Sequence, residues 1–228
     1  MKSILRSRGK TMSYPINLDV AGKSCVVVGG GKVALRKIRG LSEAGARVKV
    51  IAPEICAEVE ELFKRGEILW TRANFSAELL GDELILIAAT DNPEVNQQAC
   101  EAAQAKKILV NVVNSSGGNF NVPSRIRRGD LLLTISTGAN SPAFAKFMRQ
   151  MLEAELGENF GAGLEIISRA RRELKQLLPN QAAREKFWRE VLTLEVRQLL
   201  KSGELNTLEA KLNHALKTFG AQSPHGTD

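Results

Sequence analysis

The sequence lacks the features that mark several classes of protein. No apolar run approaches the roughly 20 residues that span a bilayer, and the basic N-terminus has no apolar segment of a secretory signal. There are only two histidines, and the three cysteines have no C-x-x-C spacing. These scarcities argue against a metal site and against a disulfide scaffold. We therefore expect a cytoplasmic protein with reduced cysteines, no metal and no membrane association.

Aromatic residues are also few, and this affects how the net charge of +7 is interpreted. Proteins that bind nucleic acids combine a basic stripe with aromatic side chains that stack on bases. Here the basic residues are spread over both halves of the 228-residue chain. An acidic small molecule suits this charge at least as well, and we expect no nucleic-acid partner.

The chain does contain a glycine turn that follows a buried strand. Cys25–Val28 form a continuous apolar run, typical of a parallel strand buried on both faces, and lead directly into Gly29–Gly31. The first and third of these glycines, with Ala34, form the pattern G-x-G-x-x-A. This dinucleotide fingerprint predicts a pyrophosphate at the N-terminus of the next helix. A glycine-rich turn without a ligand is the alternative.

Strands and helices alternate as far as residue 113. The apolar patterns predict further strands at 48–52, 68–70, 84–89 and 108–113, and helices at 32–44, 54–65 and 95–105, with a helical turn at 76–80. This alternation predicts an α/β fold with a Rossmann-like, doubly wound parallel sheet. Ligands of such sheets lie beyond the carboxyl ends of the strands. The polar residues at those ends are Gly29–Lys32, Pro53–Glu54, Thr90–Asp91 and Asn111–Asn114.

Glu54 has two interpretations. Dinucleotide-binding folds place an acidic residue after the second strand to hold the adenosine ribose, and Glu54 is the nearest candidate, displaced slightly by Pro53. A carboxylate at a helix N-terminus is also stabilised by the helix dipole. The sequence leaves both interpretations open.

The pattern changes after Val113. A polar loop, a basic run, a strand at 131–135 and a second polar loop lead to a helix, with Ser141 as its N-cap and Pro142 at its first position. The chain is then helical in pattern to Phe219. Breaks are predicted at 157–163, 178–180 and 202–203, a flexible leader at 1–11 and a disordered tail at 220–228.

Four ordered motifs carry a resemblance to a known family: the segment from Tyr14 to Glu54, IAATDNPEVN, VNVVN and ISTGANSPAFAK. Together they resemble the precorrin-2 dehydrogenase/sirohydrochlorin ferrochelatase family, a unit that also forms the N-terminal half of siroheme synthase. The resemblance implies an NAD-binding domain (12–113), a dimerisation and substrate-loop segment (114–150), a helical C-terminal domain (151–219) and a homodimer.

The resemblance also implies a reaction and its residues. Precorrin-2 loses two hydrogens to NAD and becomes sirohydrochlorin, on the way to siroheme, and its many carboxylates suit a basic chain. The cofactor-binding candidates are Gly29, Gly30, Gly31, Lys32, Val33, Pro53, Glu54, Thr90 and Asn111. The candidates that face the tetrapyrrole are Ser136, Thr137, Gly138, Asn140 and Ser141, with helix capping as the alternative for Ser141.

One position departs from the family. Many members have Asp after VNVV as a candidate general base, whereas this chain has Asn114. An amide cannot accept that proton. We therefore predict that the dehydrogenase activity is retained and that the ferrochelatase activity is weak or absent. The alternative is a non-catalytic NAD- or tetrapyrrole-binding regulatory or carrier protein.

Overall fold

A computed structural model describes residues 13–113, 115, 117–138 and 140–222. The chain divides into two compact units, Met1–Val122 and Pro123–Asp228. The predicted leader 1–11, the candidate catalytic residue Asn114 and residues 223–228 of the predicted tail lie outside the described residues.

The first unit is built on a five-stranded parallel sheet. Its strands run in the order β3-β2-β1-β4-β5, so the predicted doubly wound α/β fold is confirmed. The elements are β1 (Ser24–Val28), α1 (Lys32–Ser42), β2 (Arg47–Ile51), α2 (Ala57–Lys64), β3 (Ile68–Thr71), a 3-10 turn (Ala77–Leu79), β4 (Ile85–Ala88), α3 (Pro93–Ala105) and β5 (Leu109–Val112).

Both faces of this sheet are buried, which explains the continuous apolar runs. In β1, Val27 belongs to a core formed with α1 and α2. Its neighbours Val26 and Val28 belong to a second core formed with α3. Because successive side chains point to opposite faces, a central strand between two helix layers has no polar side.

The edge of β5 is covered by its own downstream loop. The Asn119 backbone N–H donates to the carbonyl of Val110 at 2.9 Å, and the Val110 N–H donates to Asn119 Oδ1 at 2.8 Å. Asn111 Nδ2 donates to the carbonyl of Phe120 at 3.0 Å. These bonds satisfy strand-edge groups that would otherwise be open to pairing with another chain.

The second unit combines a two-stranded antiparallel sheet with helices. Its elements are β6 (Ser124–Arg128), β7 (Leu131–Ile135), α4 (Pro142–Glu155), α5 (Asn159–Leu177), α6 (Gln181–Val191), α7 (Leu194–Ser202) and α8 (Leu205–Gln222). One core joins α5 to α8, centred on Phe187, Leu174 and Leu208. None of the described helices is long and apolar enough to cross a membrane.

Two expectations for the helical part were wrong. The predicted break at 157–163 is a helix from Asn159 onward, because Gly161 and Gly163 serve close packing inside α5. A Cβ on Gly161 would lie 2.7 Å from the carbonyl carbon of Arg128, and one on Gly163 would lie 2.0 Å from Leu200 Cδ2. The predicted disorder from residue 220 was also wrong as far as Gln222, because α8 continues to that residue.

The Gly161→Ala variant tests this packing. Alanine favours a helix intrinsically, yet its Cβ would collide with backbone atoms of Arg128 that cannot rotate away. We expect a loss of about 1–3 kcal/mol in the free energy of unfolding, measured by thermal and urea denaturation. Gly157→Ala is the matched control, because nothing lies within 4 Å of a Cβ there. Equal stability of the two variants would contradict the packing account.

Candidate cofactor site

Gly29 joins the carboxyl ends of three neighbouring strands. Its N–H donates to the carbonyl of Ile51, the last residue of β2, at 2.9 Å. Its φ of +118° is a conformation that side-chain-bearing residues rarely adopt, and a Cβ would lie 2.5 Å from the carbonyl oxygen of Ala89, just after β4. Only glycine lets the turn after β1 lie this close to both neighbours.

Gly30 brings the loop after β2 against the same turn. The carbonyl of Gly30 accepts a hydrogen bond from the Cys56 N–H at 2.8 Å. A Cβ on Gly30 would lie 2.2 Å from the carbonyl oxygen of Glu54. The segment that contains Pro53 and Glu54 is therefore held next to the start of α1.

Gly31 differs from both, because its Cβ position opens into free space. It is the N-cap of α1, and within the described chain no side chain caps this helix and its first turn holds no acidic residue. Lys32 and Val33 in that turn are exposed. Unpaired N–H groups and the helix dipole together favour an anion at such a position. This open, uncapped helix start fits a dinucleotide pyrophosphate.

The helix-terminal interpretation of Glu54 was wrong. The predicted helix at 54–65 begins only at Ala57, and the acidic residues of its first turn are Glu58 and Glu60. Hydrogen bonds from the Glu58 backbone and from the Cys56 side chain lower the pKa of Glu58. Glu54 is exposed and precedes the N-cap of α2, Cys56, by two residues, so it is not part of that first turn. Its carboxylate is available to a ligand.

Thr90 is held by a residue that the sequence analysis missed. Asn96 is buried, and its Nδ2 donates to the Thr90 carbonyl at 2.9 Å while its Oδ1 accepts from the Thr90 N–H at 3.1 Å and hydroxyl at 2.8 Å. The sequence Thr90-Asp91-Asn92-Pro93 could have indicated a structured turn, since Asn92 is the N-cap of α3. Thr90 thus fixes the loop after β4, and its hydroxyl is already engaged.

The loop after β5 is held by α3. The Gly117 carbonyl accepts hydrogen bonds from Cys100 Sγ and from Gln104 Nε2, both at 3.1 Å. Burial raises the pKa of the Cys100 thiol, which keeps the proton that this bond needs. Ser115 Oγ accepts from the Gly117 N–H at 3.2 Å. Asn111, a cofactor candidate, is buried and uses its side chain to hold Phe120.

In the second unit, the candidate substrate loop is bonded within itself. Ser141 Oγ accepts from the Phe144 N–H at 3.1 Å, so its predicted N-cap role is confirmed. Thr137 Oγ1 donates to the Ser141 carbonyl at 3.2 Å, and Asn140 Nδ2 donates to the Thr137 carbonyl at 2.7 Å. The Gly138 N–H donates to Ser136 Oγ at 3.2 Å. These bonds connect the described residues of the loop to one another; a substrate role for them stays a prediction.

A cavity of about 470 Å³ lies at the amino ends of the strands, opposite the glycine turn. Its lining residues come from the amino ends of the strands and the segments before them: Gly22, Lys23, Ser24, Arg47, Asp82, Glu83, Leu84, Lys107 and Leu109. Parallel sheets bind ligands at the carboxyl ends of their strands, so those ends, with the glycine turn, stay the predicted cofactor site. No group of metal-ligating side chains occurs among the residues that the structure describes.

Comparison with known proteins supports this assignment. A family model described as putative NAD(P)-binding matches residues 16–124, and one described as the sirohaem synthase dimerisation region matches residues 159–216. The siroheme synthase of Photorhabdus laumondii is 34% identical over 92% of this chain and 45% of its own length. That of Nitrosococcus oceani is 35% identical over 90% of this chain and 44% of its own length.

A solved structure, SirC, precorrin-2 dehydrogenase, matches with a TM-score of 0.73 and 28% identity over 92% of this chain and all of that one. The chain is thus similar over both of its units to a precorrin-2 dehydrogenase and to siroheme synthases, and its first unit matches the putative NAD(P)-binding family. The chain spans less than half the length of the curated siroheme synthases that it matches. The NAD(P)-binding match confirms the cofactor class, since the glycine turn and α1 lie within it.

Two alanine variants separate folding from cofactor binding at the glycine turn. In Gly30→Ala the new Cβ would overlap the Glu54 carbonyl, so we expect the melting temperature to fall by several degrees. In Gly31→Ala the Cβ meets no protein atom but enters the space beside the uncapped helix start. Alanine is a poorer N-cap than glycine, so we expect a smaller fall in melting temperature than in Gly30→Ala. NAD binding should weaken at least about tenfold, measured by calorimetric titration.

The reverse pattern would contradict this arrangement. If Gly31→Ala left NAD affinity unchanged in the folded protein, the dinucleotide would not approach the backbone there. If Gly30→Ala were as stable as the parent chain, the loop at Glu54 would not be pressed against the turn.

Proposed function

We propose that this chain is an NAD-dependent precorrin-2 dehydrogenase, which converts precorrin-2 and NAD⁺ to sirohydrochlorin, NADH and a proton in siroheme biosynthesis. The observation that carries the proposal is the match over both units to SirC, whose name gives this activity. The names of the longer relatives, siroheme synthases, support the same pathway.

The first unit supplies the binding groups for NAD. The α1 N–H groups next to Gly31 take the pyrophosphate, and Glu54 accepts hydrogen bonds from the adenosine ribose. The loop fixed by Thr90 and Asn96 borders the same strand ends. NAD⁺, when bound, accepts a hydride from the substrate. The protein's contribution is to position the two reactants and to exclude competing reactions.

The second unit supplies the groups for the tetrapyrrole. Ser136, Thr137, Gly138, Asn140 and Ser141 offer hydroxyl, amide and backbone groups to carboxylates of precorrin-2. The bonded loop that they form lowers the entropy cost of ordering it on binding.

The same unit supports a homodimer. Phe144, Phe147 and Met151 make an exposed apolar face on α4, and faces of this kind mark protein interfaces. We therefore assign subunit pairing to residues 114–150 together with the dimerisation region matched at 159–216.

The cysteines in the described residues are free, which supports the cytoplasm as the compartment.

Asn114 is the basis for proposing weak or absent ferrochelatase activity. Inserting Fe²⁺ requires the removal of pyrrole protons, and an amide is no base at neutral pH. Dehydrogenation also releases one proton, but its hydride goes to NAD⁺ and the protein mainly positions the two reactants. Asn114 also favours a second candidate function, a protein that binds NAD or a tetrapyrrole without turnover.

Anaerobic incubation with precorrin-2 and NAD⁺ distinguishes the two functions. The dehydrogenase produces NADH, followed at 340 nm, together with the absorption spectrum of sirohydrochlorin in equal amount. A protein that binds both compounds and forms neither product is the non-catalytic alternative.

Asn114→Asp tests the assignment of the proton acceptor. We expect the variant to insert Fe²⁺ into sirohydrochlorin about tenfold faster than the parent chain or more, since a positioned base contributes roughly 10²–10⁴-fold. NADH formation should change little. Asn213→Asp, which adds the same charge at an exposed position on α8, is the control. Rapid iron insertion by the parent chain would contradict the proposal.

A further inference from the structure

Arg72 lies beside the predicted ribose site. It follows Thr71, the last residue of β3, and Thr71 is paired in parallel register with Ile51, the last residue of β2. Arg72 therefore occupies the position next to Ala52, on the strand adjacent to the one that leads into Pro53 and Glu54. It belongs to the same unit and the same sheet edge as the glycine turn.

A tryptophan fixes the position of Arg72. The Trp70 indole N–H donates to the carbonyl of Ala52 at 2.9 Å, and the Phe63 ring meets the indole edge-on at a centroid distance of 5.7 Å. The guanidinium carbon of Arg72 lies 5.8 Å from the centre of the Trp70 ring. A cation at this distance from an indole is attracted by the ring quadrupole. Trp70 thus connects the end of β2 with the Arg72 charge.

Arg72 forms no ion pair with any residue that the structure describes. Arg72 is exposed, and its contact with Trp70 is the interaction found for it. Glu54 is also exposed and forms no ion pair with Arg72 or with another described residue. A guanidinium that rests on an aromatic face keeps its edge N–H groups free, and these match the geometry of a phosphate.

We propose that Arg72 binds the 2′-phosphate of NADP, so that this domain accepts NADP as well as NAD. An acidic residue after the second strand selects the free ribose of NAD, whereas a nearby arginine accommodates the 2′-phosphate of NADP. This chain carries both, on adjacent strand ends. The inference rests on the cofactor-binding part of the proposed function and not on the identity of the tetrapyrrole.

Calorimetric titration of the full-length protein with NAD⁺ and NADP⁺ tests the proposal without any turnover. We expect the parent chain to bind both. Arg72→Gln should weaken NADP⁺ binding at least about tenfold, as expected for a lost charged hydrogen bond, and change NAD⁺ binding less than about twofold. Glu54→Gln should tighten NADP⁺ binding by removing a like charge and should weaken NAD⁺ binding.

Arg65→Gln is the matched control. Arg65 lies at the end of α2 and pairs with Glu67 at 2.7 Å. Its substitution therefore removes the same charge at a position outside the proposed phosphate site. Equal loss of both dinucleotides in Arg72→Gln, an equal effect of Arg65→Gln, or a parent chain that binds NAD⁺ alone would overturn the proposal. Binding of neither dinucleotide would overturn the cofactor assignment as well. Melting temperatures verify that each variant is folded.

Discussion

The structure of the first unit depends on the close approach of three strand ends at two glycines. The turn after β1 contacts the segment after β4 at Gly29 and the loop after β2 at Gly30, at distances that no Cβ would tolerate. Because β1 is the central strand of the sheet, α1 starts at the centre of the edge formed by the carboxyl ends of the strands. Its first N–H groups and the Glu54 carboxylate consequently lie along one edge, where a dinucleotide can reach both.

Side chains that hydrogen-bond to the backbone hold the remaining loops around this edge. Asn96 fixes the loop after β4, Asn111 and Asn119 fix the segment after β5, and the Trp70 indole fixes the end of β2. Each satisfies backbone groups that burial would otherwise leave unpaired. These side chains therefore shape the site, while exposed groups such as Lys32, Glu54 and Arg72 remain available to the ligand.

The sequence predicted the parts in which local pattern and burial agree. Strands β1, β4 and β5 were evident because central parallel strands are apolar on both faces. Strand β6 was not predicted, since its residues Arg125–Arg128 are mostly basic and form a two-stranded ribbon. The glycines of α5 led to the wrong prediction of a helix break. Glycine has a low helix propensity, but Gly161 is needed here because the backbone of Arg128 packs against it.

The residues of the candidate site likewise fall into those that the sequence predicted and those that it did not. The fingerprint and the strand ends gave the glycines, Lys32, Val33 and Glu54, all of which follow from sequence spacing. The roles of Gln104 and Trp70 depend on contacts with segments farther along the chain, Gly117 and Ala52, which no local pattern contains. Asn96 lies only six residues from Thr90, but its burial and its bonds there are not visible in the sequence. For Thr90 and Asn111, the residue type was noticed, but the partners that their side chains bond, Asn96 and Phe120, were not foreseeable.

Hydrogen exchange of the full-length chain, with and without NAD⁺, tests the central claim most directly. The account predicts slower exchange at the amides of Gly31–Ala34 and Glu54–Cys56, where the open helix start and the ribose loop meet the cofactor. It predicts no change at Gly22–Ser24, Asp82–Leu84 and Lys107, which line the cavity at the opposite edge. Protection of that cavity, with none at the glycine turn, would contradict the account.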